Sequence, residues 1–209
     1  MLALDSPLAP CAAAHSVRKR AFDLGLAGLA LVLTSPLLVL VALGLMIEGR
    51  GPIVVSERRT GLAGRDIRLY RFRTRGPSPG PGRPPPPAGA PHGGGFGRFL
   101  HRSGLAQLPE LFNVVRGEMS LVGPHPHAPD YEQYFVATVE GYAGRFRALP
   151  GMTGLAQVMA QRGVIPMSGA VRQRVAYDLR YIDDWSPLLD LRILAEALLG
   201  AFVAPAGAH

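Results

Sequence analysis

The most prominent hydrophobic segment runs from Leu24 to Ile47, and no residue within it carries a charge. At about 1.5 Å per residue, a helix over this run reaches about 36 Å, which is enough to cross a bilayer. The run is longer than the apolar core of a signal peptide, and no Ala-x-Ala cleavage pattern follows it. The pattern therefore predicts a membrane segment that stays in the mature protein.

Basic residues flank this segment on both sides: Arg18, Lys19 and Arg20 before it, and Arg50, Arg58, Arg59 and Arg65 after it. Because positive residues resist translocation, both flanks prefer the cytosol. Ser35 and Pro36 lie near the middle, where proline removes an N–H and disfavours helical angles in the preceding residue. We expect a helix-break-helix that dips into one leaflet and returns, with the Ser35 hydroxyl bonding backbone groups freed at the bend. A kinked helix that spans the bilayer is the alternative.

The pattern changes after the membrane segment. Residues 50–75 combine a Gly-rich turn with alternating apolar positions, which predicts a short β-hairpin. Residues 76–95 are rich in Pro and Gly and predict a disordered loop. Apolar spacing then predicts a short helix beginning near Leu108, followed by helices over 131–143, 171–182 and 188–202. The last of these could lie in the membrane interface or pack on the core.

These elements predict a mixed α/β fold that is mostly α, with a re-entrant membrane hairpin and a small cytosolic domain that carries a β-hairpin and amphipathic interfacial helices. The predicted divisions are a flexible leader (1–17), the membrane-embedded hairpin (18–49), a cytosolic domain (50–202) containing the loop 76–95, and a tail (203–209).

Composition adds a strong positive charge to this picture. The 22 Lys and Arg against 15 Asp and Glu give a net charge of +7 and a pI near 10.3. Much of the excess lies in residues 50–75, beside the membrane segment, which favours lipid headgroups or a phosphorylated substrate as partner. Nucleic acid is disfavoured because this region has few aromatic residues and adjoins the membrane. Cys11 is the only cysteine, so no internal disulfide forms, and a buried role is not expected in the Ala-rich leader.

Motifs occur in order along almost the whole chain. In the first half they are Lys19-Arg20-Ala21-Phe22-Asp23, Ser35-Pro36, Gly51-Pro52, Arg59-Thr60-Gly61 and Tyr70-Arg71-Phe72-Arg73-Thr74. In the second half they are Leu108-Pro109, Asn113-Val114, Gly117 to Pro124, Pro150 to Val158 and Tyr177-Asp178-Leu179. In this order they resemble the bacterial sugar transferase family, the monotopic polyprenyl-phosphate sugar-1-phosphate transferases.

The resemblance implies a protein on the cytoplasmic face of the bacterial inner membrane. Such an enzyme uses Mg²⁺ and transfers a sugar 1-phosphate from a nucleotide diphosphate sugar to undecaprenyl (polyprenyl) phosphate, which initiates exopolysaccharide or other surface glycans. The resemblance also implies an Asp-Glu pair directly before Leu108-Pro109, in which Asp attacks phosphorus and Glu helps to hold the metal. This is covalent catalysis by a carboxylate, with a divalent ion neutralising the diphosphate.

The chain departs from that pattern at three places. The Asp-Glu pair is replaced by Ala106-Gln107, and a methyl group cannot attack phosphorus, while a neutral amide is a poorer Mg²⁺ ligand than a carboxylate. His125 stands where the family has an arginine, which exchanges a bidentate cationic fork for a group mostly neutral at pH 7. An Asp-x-Arg-x-Thr element of the family has no counterpart in residues 90–94. These changes predict loss of the nucleophile, weaker phosphate binding and doubtful retention of Mg²⁺.

Several assignments stay open at this point. Glu110 and Glu118 are possible substitute carboxylates, Glu110 because it lies three positions after Gln107. Arg73 and Arg102 are the candidate phosphate contacts beside His125, with surface or lipid-facing roles as the alternative. No metal ligands can be assigned. The chain is therefore either an active transferase with a displaced nucleophile, or a catalytically inactive homologue that binds polyprenyl phosphate, the membrane or a glycan-assembly partner.

Overall fold

The computed structural model describes residues 10–49, 51–74, 95–162 and 170–203 of the chain. Its helices are α1 (Ala12–His15), α2 (Val17–Glu48), α3 (Gly95–Arg102), α4 (Glu110–Arg116), α5 (Pro129–Thr138), α6 (Leu155–Gln161), α7 (Ala170–Asp183) and α8 (Pro187–Val203). The strands are β1 (Val54–Thr60), β2 (Asp66–Phe72), β3 (Ser120–Val122) and β4 (Gly151–Thr153). The predicted mixed fold that is mostly α is therefore confirmed.

Helix α2 continues through Pro36, where the sequence predicted a break, so the predicted interruption of the helix is wrong. The reason lies in the residue before the proline. Pro36 cannot donate to the Val32 carbonyl four residues earlier, and the Ser35 hydroxyl donates to that same carbonyl at 2.8 Å. The expected role of the Ser35 hydroxyl is thus present, and it keeps the backbone bonded around the proline.

Most side chains of α2 face away from the rest of the protein. Among the described residues, α2 is the one helix long and apolar enough to cross a membrane. Val32 and Leu33 are both 71% exposed, and no residue between Ala27 and Val41 is buried. An apolar helix that packs inside a soluble core would bury such side chains, so this exposure is typical of a membrane-associated helix.

Both ends of α2 are nevertheless fixed to the same body. Near its start, the Arg20 guanidinium donates to the carbonyls of Val114 and Val115 at the end of α4, at 2.5 and 2.7 Å. Near its end, the Arg73 guanidinium donates to the Leu45 carbonyl at 3.0 Å. The middle of α2, over residues 32–37, is mostly exposed and lies between these two bound ends.

A buried polar network joins the start of α2 to α8. The Lys19 ammonium lies 2.8 Å from the Asp190 carboxylate and 3.6 Å from that of Asp23. Asp190 also accepts hydrogen bonds from the Tyr181 hydroxyl at 2.8 Å and the Trp185 indole at 3.1 Å. Around this network lies the larger apolar core, which includes Ala27, Val114, Met119, Leu121, Tyr181 and Ile193.

The predicted β-hairpin is confirmed. Strands β1 and β2 pair in antiparallel register from Val54 opposite Phe72 to Thr60 opposite Asp66. Asn113 of α4 holds the hairpin like an additional strand, because its amide accepts from the Tyr70 N–H at 3.1 Å and donates to the Arg68 carbonyl at 2.6 Å. The hairpin is thereby fixed against α4.

The leader and one helix differ from expectation. Cys11 is buried and its N–H donates to the Arg147 carbonyl at 2.8 Å, so the expectation that it has no buried role is wrong. The helix expected over 131–143 ends at Thr138, because the chain becomes extended at Val139 and Gly141 adopts a left-handed conformation, with φ +75°.

The two C-terminal helices lie where the spacing predicts them, over Ala170–Asp183 and Pro187–Val203. Helix α8 buries Asp190 and Ile193 against the core but leaves Leu188, Leu191 and Leu198 exposed. The predicted loop 76–95 lies outside the described residues, apart from Gly95, which begins α3; of the predicted tail 203–209, only Val203 is described.

Candidate active site and its arginine cluster

Ala106 lies in a short 3₁₀ turn, Leu105–Gln107, which Gly104 introduces with a left-handed backbone conformation, φ +73°. The Ala106 side chain is only 6% exposed. It belongs to an apolar cluster with residues from the second half of α2, the end of β2 and α3: Val41, Leu45, Phe72 and Leu100. The position at which the resemblance implies an attacking carboxylate is therefore a methyl group packed beside the membrane helix.

Neither possible substitute carboxylate is free. Glu110 is 0% exposed, and its Oε1 accepts from Arg71 Nε at 2.5 Å. Burial raises the pKa of Glu110, and the neighbouring Arg71 opposes that rise. Glu118 accepts from the Asn113 amide at 2.6 Å and lies 3.9 Å from Arg116, at the far end of α4. Glu110 thus serves as a buried ion-pair partner, and Glu118 supports the residue that holds the hairpin.

Of the two predicted phosphate contacts, one is bonded to the backbone of α2 beside the Ala106 cluster and the other is exposed. Arg73 is buried and donates to the Leu45 and Gly49 carbonyls, at 3.0 and 3.2 Å. A guanidinium at a helix C-terminus satisfies free carbonyls and complements the negative end of the helix dipole. Arg102 lies exposed in the last turn of α3. In this arrangement Arg73 fixes the end of the membrane helix.

Among the described residues, Arg59, Arg71 and Arg145 lie close enough to His125 to act on it electrostatically, and Arg145 bonds its carbonyl; we call these three arginines and His125 the arginine cluster. Arg59 and Arg71 lie on the paired strands β1 and β2, while the pairing of β3 with β4 holds the segment that carries His125. There Gly151 donates to the Pro124 carbonyl at 3.0 Å, and a Cβ on Gly151 would lie 2.1 Å from the Gly123 nitrogen. Only glycine permits this approach, and it sets the course of the chain at His125.

Each arginine of the cluster is matched by a carboxylate. Arg59 pairs with Glu57, Arg71 with Glu110, and Arg145 with Asp178. Arg145 is fully engaged, because its Nε donates to Asp178 at 2.8 Å and its Nη2 donates to the His125 carbonyl at 2.7 Å. The cluster is therefore largely neutralised from within.

His125 supplies no positive charge to the cluster. Burial, reinforced by Arg71 and Arg145, lowers the pKa of His125 to about 3. Burial and Arg145 likewise lower the pKa of His127 to about 3, and the His127 Nδ1 lies 2.6 Å from the Tyr142 hydroxyl. The expectation of a neutral group at His125 agrees with this environment.

We predict that His125 and His127 stay neutral from pH 5 to pH 8, because their pKa values lie near 3. NMR titration of the imidazole signals in detergent measures this directly, and the same protein in denaturant should show all histidines titrating at about pH 6.5. A transition of either imidazole between pH 5.5 and 7.5 in the folded protein would contradict the described environment.

Comparison with known proteins decides the lineage. Residues 14–203 match the model of a family described as bacterial sugar transferase. The chain belongs to the bacterial sugar transferase family. It is 40% identical over 185 residues to a UDP-glucose:undecaprenyl-phosphate glucose-1-phosphate transferase of Caulobacter vibrioides, covering 87% of this chain and 68% of that protein.

Other members of the sugar transferase family differ in length. The chain is 34% identical to the Escherichia coli UDP-glucose:undecaprenyl-phosphate glucose-1-phosphate transferase, over 93% of this chain but 42% of that protein. It is also 34% identical to the exopolysaccharide production protein PSS of Rhizobium leguminosarum, over 85% of this chain and 92% of that protein. The chain thus spans less than half of some curated relatives and nearly all of another.

The residues present do not fit the Mg²⁺ site that the sugar transferase family implies. Within the described ranges, no three His, Cys, Asp or Glu side chains lie close enough together to hold a metal ion. The expected position holds the methyl group of Ala106 and the amide of Gln107, and the nearby Glu110 carboxylate is buried in an ion pair with Arg71. Because Mg²⁺ prefers carboxylate oxygens, this donor set is unsuited to it.

The sequence did not predict two residues at the arginine cluster, Arg145 and Glu132. Glu132 is buried and lines a small cavity with Thr60, His125 and Arg145. Arg145 lies in an aromatic stretch and Glu132 on a short helix, and neither belongs to a motif. Nothing in their local sequence distinguishes them from the other charged residues of the chain.

Proposed function

We propose that this chain is a membrane-bound, non-catalytic member of the sugar transferase family that binds phosphorylated family substrates at the arginine cluster. One observation carries the proposal: Ala106 places a methyl group, buried among Val41, Leu45 and Phe72, where the reaction needs a nucleophile. A methyl group has no electron pair to donate to phosphorus. Transfer through a phosphosugar intermediate therefore lacks its first step.

Glu110 does not replace the missing carboxylate in this proposal. Its side chain has no solvent exposure and its Oε1 is bonded to Arg71. Phosphoryl transfer needs the nucleophile in line with the leaving group, and displacements near 1 Å are already costly. Reaching the phosphorus of a bound donor would require Glu110 to leave its ion pair and its buried position.

Active transfer is the second candidate function. It is favoured by the 40% identity to a Caulobacter vibrioides protein named as a glucose-1-phosphate transferase. It requires a nucleophile elsewhere in the chain and a way to neutralise the diphosphate without the family's carboxylate pair. The packing of Ala106 and Glu110 supports the non-catalytic proposal over this one.

The proposed ligands follow from what the relatives are named for. Curated relatives use UDP-glucose and undecaprenyl phosphate. We assign the same ligand classes to this chain, a nucleotide diphosphate sugar and a polyprenyl phosphate, bound without Mg²⁺. Arg71 is the leading contact, because it is 21% exposed, whereas Arg59 is 15% and Arg145 only 4% exposed.

Binding and transfer must be measured on the same preparation to test this proposal. Isothermal titration of the detergent-solubilised protein with UDP-glucose, with and without Mg²⁺, should show weak binding that Mg²⁺ leaves unchanged. Radiolabelled UDP-glucose with undecaprenyl phosphate should give no lipid-linked sugar diphosphate. Binding that depends on Mg²⁺ together with formation of labelled lipid would establish the second candidate instead.

We further propose that α2 forms a re-entrant arch on the cytoplasmic face of the inner membrane. Both ends of α2 are bound to the same body, while Val32 and Leu33 in its middle are exposed. Proline inside a helix is a common cause of a bend, and Pro36 lies in that exposed middle. The exposed leucines of α8 would lie in the membrane interface beside the arch.

The arch predicts that both ends of α2 face the cytoplasm. Val17 and Ile47 are 82% and 87% exposed, so single cysteines at these positions, in a Cys11→Ala background, should be accessible to reagents. A membrane-impermeant maleimide should label neither position in spheroplasts and both in inverted vesicles. Labelling of one position in spheroplasts and the other in inverted vesicles would establish a spanning helix.

A further inference from the structure

The contacts of Arg71 suggest an unassigned role for Glu110. Among the three arginines of the cluster, Arg145 donates from all three of its nitrogens. Arg59 donates to Glu57 and to the Arg58 carbonyl, and its Nε is buried without a hydrogen-bond partner among the described residues. Among the described residues, Arg71 donates only through Nε, to Glu110. Because Arg59 Nε is buried, the remaining nitrogens of Arg71 are the more accessible unpaired donors of the cluster.

Glu110 is an unusual partner for the half-buried Arg71. Its Oε1 lies 2.5 Å from Arg71 Nε, while its Oε2 is buried and has no hydrogen-bond partner among the described residues. A buried carboxylate oxygen without a partner is unfavourable. The carboxylate is thus held by Arg71 on one side only, rather than by a full set of donors.

A carboxylate and a phosphoryl group compete for the same guanidinium. Arginine binds both through its planar fork, often with two parallel hydrogen bonds. With Glu110 on Nε, and Glu57 at 4.0 Å from Nη1, a phosphoanion that approaches Arg71 meets a cation already neutralised. Each negative charge close to a site disfavours a second anion there.

We propose that the Glu110 carboxylate competes with phosphoanions for Arg71 and so lowers the affinity of the arginine cluster for them. The inference rests on the proposed function, since it concerns the same binding site. In this role the negative charge of Glu110 weakens the attraction of Arg71 for a phosphoanion. Burial raises the pKa of Glu110, so replacing the carboxylate with a neutral amide of the same shape is a mild change at this position.

Glu110→Gln tests this role with little change of shape. The substitution keeps an oxygen for Arg71 and removes one negative charge, so UDP should bind about tenfold more tightly than to the unaltered protein. Glu140→Gln is the matched control, because Glu140 is exposed and the change in net charge is the same. UDP in solution and undecaprenyl phosphate in nanodiscs form the two arms, which distinguish the soluble from the lipid source of the phosphate.

A second variant identifies Arg71 as the cation. Arg71→Gln combined with Glu110→Gln removes both charges, so no buried charge is left without its partner, and it should abolish the gain in affinity. Thermal unfolding of each variant confirms that the fold is intact. A gain that persists in the double variant would overturn the inference.

The remaining outcomes separate the inference from the proposed function. Binding of UDP by the unaltered protein with equal affinity in Glu110→Gln would overturn the inference and leave the proposed function standing. No binding of either ligand by any variant would overturn both. A tenfold gain confined to Glu110→Gln, in one arm or in both, would support the inference and identify the source of the phosphate.

Discussion

Introducing Ala106→Asp and Gln107→Glu together is expected to raise sugar-phosphate transfer by at least about 100-fold over the native chain, since loss of a covalent nucleophile commonly costs more than this factor. The pair restores the attacking carboxylate and a carboxylate able to bind Mg²⁺. The turn at Leu105–Gln107 already presents the position against β2 and the second half of α2. Radiolabelled transfer to undecaprenyl phosphate in the presence of Mg²⁺ measures the gain.

The matched control for this gain is Ala106→Asn with Gln107→Glu, which has nearly the same shape but no nucleophile. It should remain as inactive as the native chain. If both variants transfer equally well, the nucleophile lies elsewhere. If neither exceeds the native chain, the loss of activity has a cause besides the missing pair, and adding His125→Arg, which restores the family's cationic fork, becomes the next variant to measure.

Asp190→Ala is expected to destabilise the protein by about 3–5 kcal/mol, because it leaves a buried ammonium without its main partner. Lys19 and Asp190 are 6% and 1% exposed and lie 2.8 Å apart. The substitution also removes the acceptor of the Tyr181 hydroxyl and the Trp185 indole. Thermal unfolding in detergent should show a fall in Tm of about 10 °C.

Asp184→Ala is the control for that measurement. Asp184 lies 3.4 Å from Arg180 in an ion pair whose members are both well exposed, so its removal should change stability by about 0–1 kcal/mol. A similar small effect for Asp190→Ala would show that the buried network does not hold the start of α2 to α8.

The parts of the fold that were predictable depend on local patterns. The apolar run of α2 and the alternation of β1 and β2 are visible within short windows of sequence. The Ser35 hydroxyl was also predictable, because a proline always leaves the carbonyl four residues earlier without its donor. Whether a helix breaks or continues at a proline depends on the backbone bond that is lost and on the side-chain bond that replaces it. The hydrophobic pattern does not show which effect is larger, so the continuation of α2 through Pro36 was not predicted.

Other features depend on contacts between distant segments. Cys11 is buried because its backbone bonds to Arg147, far along the chain. Strands β3 and β4 have three residues each, too few for a periodic signal, and they pair because Gly123 and Gly151 permit close approach. Such contacts become visible only when the chain is folded.

The candidate site divides in the same way. The loss of the carboxylate pair is evident at Ala106 and Gln107, since it is a matter of side-chain chemistry at a motif. The use of Arg73 on the end of α2, and of Glu110 on Arg71, is evident only from geometry. The sequence therefore showed what is missing, and the structure shows how the remaining charges are paired.

Intact-mass spectrometry of the native protein incubated with UDP-glucose and Mg²⁺ tests the central claim most directly. Members of the family that act by covalent catalysis form an enzyme-bound phosphosugar, which adds the mass of a hexose phosphate. We predict an unchanged mass for the native chain and an added hexose phosphate only when Ala106→Asp and Gln107→Glu are present. A phosphosugar attached to any side chain of the native protein would contradict it.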